Sequence, residues 1–300
     1  LVHHEQGFGD SLQFARFLPL LAARGARVRV EVPRALIRLF RSLPGVEILE
    51  PGQPLGALDR HVPMMSLARY FAPTTDAIPS APYLHAPADD ISRWRNLLAA
   101  DRNLKVGLAW AGDPRPDLPE ATRIDRRRSI ALRDLAPLAG VDGVSWYSLQ
   151  LGAGAAQAGL PDNRFRLIDH TAQVRDFADT AAFMAALDLV ITVDTSVVHV
   201  AGAIGRPTWL LSRFDGCWRW LLEGETSPWY PSVRVFRQTA HGTWTSVVAE
   251  LVSALHRAES WRRLMVDVPL EAIDVEFLDA PAHWLLAATA EDPFAWSQAH

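Results

Sequence analysis

Along the first third of the chain, short apolar runs alternate with stretches of helical spacing. Residues 1–4 read as a strand end and Gly7-Phe8-Gly9-Asp10 as a turn. Leu12, Phe14, Ala15, Leu18 and Leu21 then fall on one helical face up to a stop at Gly25. Residues 27–32 alternate as a strand does, 34–43 predict a short helix, 46–49 a third strand and 61–65 a fourth. Strand–helix–strand order of this kind argues for a parallel sheet with helices on its faces.

The pattern lapses over 73–88, where Pro73, Pro79, Pro82 and Pro87 occur without periodicity and predict a linker. A second series follows. It starts with a helix over 89–100, a buried strand over 105–110 ending near Gly112, and a polar loop through Arg126, Arg127, Arg128, Ser129 and Ile130. Helices are then expected at 132–138, 177–187, 197–204 and 246–257, with strands at 144–149, 165–168, 189–193, 208–211 and 233–236. The expected fold is α/β, with two Rossmann-like domains spanning 1–88 and 89–258. Residues 259–300, with Trp261, Trp284, Trp296 and the helix-permissive run 282–290, form a C-terminal appendage that joins neither sheet.

Composition narrows the class. With 49% hydrophobic and 21% charged residues the chain is globular rather than disordered, and 300 residues favour two domains over one. A net charge of -4 gives no reason to expect nucleic acid or an anionic membrane as partner. Cys217 is the sole cysteine, which excludes an intrachain disulfide and a Cys-x-x-Cys zinc site and suits a reducing cytoplasm. The longest greasy stretch, 181–193, contains Asp188 and is shorter than the ~20 residues of a bilayer span. The start at Leu1 shows no signal peptide and, falling inside a strand, implies a piece of a longer polypeptide.

In open α/β sheets ligands bind beyond the carboxyl ends of the strands. Three such junctions carry suggestive residues. The first is 190–211, where an apolar strand ends at Asp194 and Thr195 or Ser196 can cap the next helix. Free amides and the helix dipole there suit a diphosphate, and His199 lies one turn in, although the same residues serve equally as an ordinary cap. The string D-T-S-V-V-H-V-A-G-A-I-G-R-P, 194–207, resembles the donor-binding motif of the ADP-heptose:lipopolysaccharide heptosyltransferases. It is especially similar to the glycosyltransferase-like domains found behind tetratricopeptide repeats in bacteria. The resemblance implies a GT-B fold, two Rossmann-like domains facing across a cleft. It also implies that Thr195, Ser196, Val197 and His199 contact the diphosphate and Asp194 the sugar hydroxyls. Glycine is commoner in the family where Ser196 stands, a change that matters little if the backbone N–H is the contact.

The second junction is Gly7-Phe8-Gly9-Asp10-Ser11-Leu12, followed by Leu18-Pro19. Gly7 and Gly9 permit a close approach of backbone to substrate, and Asp10 reads by itself as a helix-start acid. The family has a similar G-D-x-L…L-P pattern, which makes Asp10 the expected general base. The third junction, 105–113, leads to Arg126-Arg127-Arg128-Ser129-Ile130. The repeat-linked relatives show R-S-I-P-L where this chain has R-S-I-A-L. Arg128, then Arg127, are thereby the expected phosphate contacts, in place of a metal.

Further segments match those relatives. Trp146-Tyr147-Ser148-Leu149-Gln150 places Gln150 beside the expected nucleotide base. Asp179 and Thr180 either contact donor or cap a helix, and Trp218 in the W-R-W-L-L…S-P-W-Y-P stretch either stacks on a ligand or anchors a loop. The ten histidines form no metal motif, and no D-x-D pair stands out, so neither metal nor cofactor is expected. The reading that results is a cytoplasmic, metal-independent inverting glycosyltransferase. Its partners are a nucleotide-sugar donor and a glycan, lipid-linked or protein acceptor, with tetratricopeptide repeats N-terminal to this chain. The alternatives are an inactive GT-B-like nucleotide- or glycan-binding module and a GT-B-shaped nucleotide-sugar epimerase.

Overall fold

The computed structural model describes residues 1–267, with side chains through 260. The first sheet is parallel throughout, in the order β3-β2-β1-β4, from β1 (Val2–His3), β2 (Val28–Glu31), β3 (Val46–Leu49) and β4 (Val62–Pro63). Its helices are α1 (Phe8–Phe14), α2 (Leu18–Ala23), α3 (Arg34–Phe40) and α4 (Ala68–Phe71). After α5 (Ala88–Leu98) the second sheet begins, also parallel, in the order β6-β5-β7-β8-β9. Its strands are β5 (Leu104–Ala109), β6 (Val144–Ser148), β7 (Leu189–Val193), β8 (Thr208–Ser212) and β9 (Val233–Arg237). Its helices are α6 (Pro119–Arg128), α7 (Phe177–Ala185), α8 (Ser196–Ala203) and α9 (Thr245–Asp267).

β7 is the centre of the second sheet, and all five of its residues are buried. Helices cover both faces, so the strand is apolar along its whole length instead of alternating. One face packs on α9 and the 132–140 turn through Val106, Leu108, Ile191, Trp209 and Leu251. The other meets α7 and α8, and through them the first sheet's helices, so that Leu12, Phe17, Leu36, Phe183, Val198 and Leu210 belong to a single apolar core. The carboxyl ends of β1 and β7 therefore come together across the α1–α8 contact.

Several expectations are corrected. Gly7-Phe8-Gly9-Asp10 is a turn only at Gly7, since α1 starts at Phe8. Arg126–Arg128 lie on the last turn of α6, not on a loop. That helix has no apolar stripe to announce it and relies on Pro119 in its first turn and cations in its last. The strand expected at 61–65 stops at Pro63, which has no N–H for a ladder. The one expected at 165–168 is a single bridge between Tyr147 and Ile168 on the sheet edge, and 132–140 is a 3-10 turn holding Pro137. The 73–88 stretch is packed rather than loose: Tyr83 N and Leu84 N both donate to Ala203 O (3.0 and 3.2 Å), and Leu84 is buried.

α9 runs past the expected boundary at 258 to Asp267. The remainder of the expected appendage, with Trp284, Trp296 and the 282–290 run, lies outside the described residues, as does the side chain of Trp261. Among the described residues no helix is long and apolar enough to cross a membrane.

Candidate functional site

At β7–α8 the chain leaves the sheet through Asp194, and Thr195 caps α8, its Oγ1 accepting from Val197 N at 3.4 Å. The first turn of α8 carries no acidic residue, so nothing of its own neutralises the positive end of the helix dipole. Arg128 comes up beside it: Nη1 donates to Asp194 O at 2.9 Å, and Nε to Asp125 Oδ1 at 3.0 Å. Gly112 at the end of β5 makes this approach possible, because a Cβ there would run into Asp125 Oδ1 and the Arg128 guanidinium. Asp194, Thr195, Ser196, Val197 and Arg128 are thus brought together at the carboxyl edge of the sheet, all partly accessible. Arg127 points elsewhere and pairs with Asp215.

His199 is buried one turn into α8. Its Nδ1 lies 3.0 Å from the Tyr230 hydroxyl and its ring stacks on Trp220 with centroids 5.6 Å apart. Burial first, then the charges of Arg219 and Arg16, push its pKa well below the ordinary value, so the imidazole is neutral and gives a phosphate no charge. Gly9 of α1 rests directly on this ring: a Cβ at Gly9 would sit 2.7 Å from His199 Cδ2. That close approach packs the start of α1 against the first turn of α8.

Asp10 Oδ2 accepts from Gly7 N at 2.9 Å, and its Oδ1 accepts from Arg219, which crosses from the β8–β9 loop. Arg219 also donates to Gln13 Oε1 and to Cys217 Sγ, and lies over the Trp218 ring. Trp218 itself is 55% exposed and meets Trp229 edge-on. A second cation, Arg16, is sealed into the same interface. It donates to Trp229 O (2.7 Å) and Pro79 O (2.8 Å) and faces the rings of Tyr83 and Tyr230.

The other candidates stand apart. Gln150 Oε1 accepts from Trp110 N and Ala111 N, and its Nε2 donates to Ala111 O and Leu151 O. Two acceptor and two donor positions are all that an amide side chain has. Gln150 thus ties the end of β6 to the end of β5 and has nothing left for a base. Asp179 is fully buried among Arg38, Arg93 and Arg175. Burial alone would raise its carboxyl, but hydrogen bonds from Arg175 and Arg38 outweigh this and hold it at about 2. Thr180 Oγ1 donates to Asp176 O, and Asp176 caps α7. Asp179 and Thr180 therefore join α3, α5 and α7 rather than lining the α8 mouth.

Sequence reasoning named Arg219 and Tyr230 only as part of an aromatic loop and passed over Gln13 and Arg16. A lone arginine inside Phe14-Ala15-Arg16-Phe17-Leu18 was the one available signal, since an unpaired cation does not survive in such a stripe. Among the described residues no group of three or more His, Cys, Asp or Glu is placed to hold a metal.

Two parallel sheets with this strand order, packed together through α1 and α8, have the GT-B fold. The comparisons agree on the architecture. The chain is similar to the Escherichia coli ADP-heptose lipopolysaccharide heptosyltransferase II, with a TM-score of 0.61 at 13% identity over 89% of this chain and 99% of that one. It is similar also to a family 9 glycosyltransferase of Veillonella parvula, with a TM-score of 0.55 at 12% identity over 79% and 85%. The iron-containing dodecameric glycosyltransferase TibC of enterotoxigenic E. coli gives 0.52 at 13% identity over 81% and 63%. In sequence, protein FlbA of Caulobacter vibrioides is 26% identical over 291 residues, covering 85% of this chain and 46% of FlbA. The chain thus spans about half the length of that curated relative. No protein-family model matches it.

Proposed function

We propose that this chain is an inverting glycosyltransferase that moves a sugar from a nucleotide-diphosphate sugar to a hydroxyl of a glycan, lipid-linked or protein acceptor, without a metal. The observation that supports this reading is the junction itself: a helix N-terminus with no acid in its first turn and with Arg128 beside it, on a helix that packs through the Gly9–His199 contact against α1, which carries the Asp10 carboxylate. The diphosphate lies on the amides of Ser196 and Val197 and on Arg128. Asp10 takes the proton of the acceptor hydroxyl as its oxygen bonds to the anomeric carbon. The bond from that carbon to the diphosphate breaks on the opposite side, and the departing charge is met by helix dipole and guanidinium. Asp194 holds the sugar hydroxyls.

Thermal shift against ADP-heptose, GDP-mannose, UDP-glucose and CDP-glucose in excess EDTA tests this. One of the four raises the melting temperature and, with water as the acceptor of its sugar, releases nucleotide with EDTA present, whereas loss of both on chelation contradicts the metal-free assignment. A second reading, an inactive binding module, is favoured by one observation, that both oxygens of Asp10 already accept hydrogen bonds. It calls for donor binding without turnover and indifference to Asp10→Asn.

A further inference from the structure

Asp10 is the candidate proton acceptor, yet what aims it comes from the opposite sheet. Among the described residues Arg219 is the one cation paired with it, and side-chain exposures of 12% and 16% keep the pair largely out of water. Arg219 is itself fixed from several sides. Gln13 Oε1 and Cys217 Sγ accept from it, and Trp218 lies beneath its guanidinium, 4.5 Å away. Gln13 is completely buried, so the α1 side of this anchor has one place to be.

The backbone is strained on both flanks of the contact. Gln6, just before the Gly7 amide that holds Asp10 Oδ2, has φ 57°; Leu221, two residues past Arg219, has φ 58° and ψ -178°. Left-handed conformations at residues other than glycine persist where surrounding contacts over-determine them. Here the two residues flank the Gly7 and Arg219 donors to Asp10.

We propose that Arg219 is the positioning residue for Asp10, so that the proton acceptor is oriented only when the two sheets are together. This rests on the glycosyltransferase reading above. A carboxylate has about four acceptor positions, and Gly7 N and Arg219 use two of them, which leaves room for an acceptor hydroxyl on the same group. The pair is thus compatible with a working base, and the engagement of both oxygens need not signal an inactive site. Arg219 acts through Asp10, not on substrate.

The test uses the full chain with whichever of the four nucleotide-sugars binds it, following nucleotide release at saturating donor with water as the acceptor, so that the sugar is freed as its hydrolysis product. Arg219→Met lowers the rate by about a hundredfold, the scale of a mis-set general base, while donor affinity stays within a factor of about two. Arg219→Lys recovers part of the rate, and guanidinium added to Arg219→Ala recovers more. Reaction of Cys217, the only thiol, with a disulfide reagent reports the loop independently of turnover. Arg219→Met speeds that labelling, and added donor slows it again. Full turnover in Arg219→Met while Asp10→Asn is inactive overturns this inference alone. A rate loss that guanidinium does not restore, matched by an equal loss of folded protein, overturns it as well. A wild-type chain that binds no nucleotide-sugar, or binds without turnover, removes the underlying reading and this inference together.

Discussion

At β1–α1 the chain passes through Gly7 into a helix whose third residue, Asp10, folds back on the Gly7 amide; at β7–α8 it passes through Thr195 into a helix without an acid in its first turn. Both are strand-to-helix junctions at the carboxyl edge of a parallel sheet, and both expose a helix N-terminus. In the first, the chain's own carboxylate satisfies the positive end of the dipole, so no anion is needed there. In the second no acid of the first turn does so, and Arg128 adds a positive charge beside it. On the proposed reading the same backbone device serves as proton acceptor or as anion seat according to one residue in the first turn and one cation nearby.

The sharpest way to break this contrast is Asp10→Asn. It should lower turnover by roughly 10²–10⁴-fold while leaving the donor-induced thermal shift intact. A collapse of donor affinity would place Asp10 with the anion seat and erase the distinction. Arg128→Met should do the reverse, weakening donor binding by about 1.5–3 kcal/mol, the worth of a hydrogen bond to a charged group, as read by calorimetry.

The contact that joins the two junctions is tested by Gly9→Ala. Its new Cβ meets the His199 ring, which is walled in by Trp220 and Tyr230. Overpacking of this kind costs about 1–3 kcal/mol, visible as a shift in the denaturant midpoint. The smallest effect is one of pH. His199 is held neutral in the fold, whereas the unfolded chain takes up a proton below about pH 6.5. Its share of stability is complete above that value and is lost progressively as pH falls below it. The arginine-bound Asp179 behaves differently: its contribution is intact above about pH 4 and fades only as pH falls toward its folded pKa of about 2. Melting curves from pH 7 to about pH 5 should fall for the wild type and flatten in His199→Phe; an unchanged slope would mean that the ring is not the titrating group.

Much of this was legible in the sequence. The second sheet's strands announce themselves as apolar runs because they are covered on both faces, and 189–204 gave strand, cap and helix in the right places. α6 was missed because a helix polar all round carries no period to read. The start of α1 was misplaced because Gly9 looks like a turn residue, whereas in the fold it packs inside a helix against the ring of His199, 190 residues away in the chain. Contacts brought about by the fold also hid the roles of Gln150, Asp179 and Arg219. Each is an ordinary polar residue in sequence, and its function or lack of one depends on which backbone or guanidinium the fold brings to it.

The central claim is that the mouth of α8 grips a diphosphate, and ¹⁵N amide spectra of the full chain titrated with ADP and with AMP test it most directly. ADP should move the Ser196 and Val197 amides strongly and AMP should move them weakly, with both responses blunted in Arg128→Met. Shifts confined to other parts of the chain, or equal responses to the two nucleotides, would contradict it.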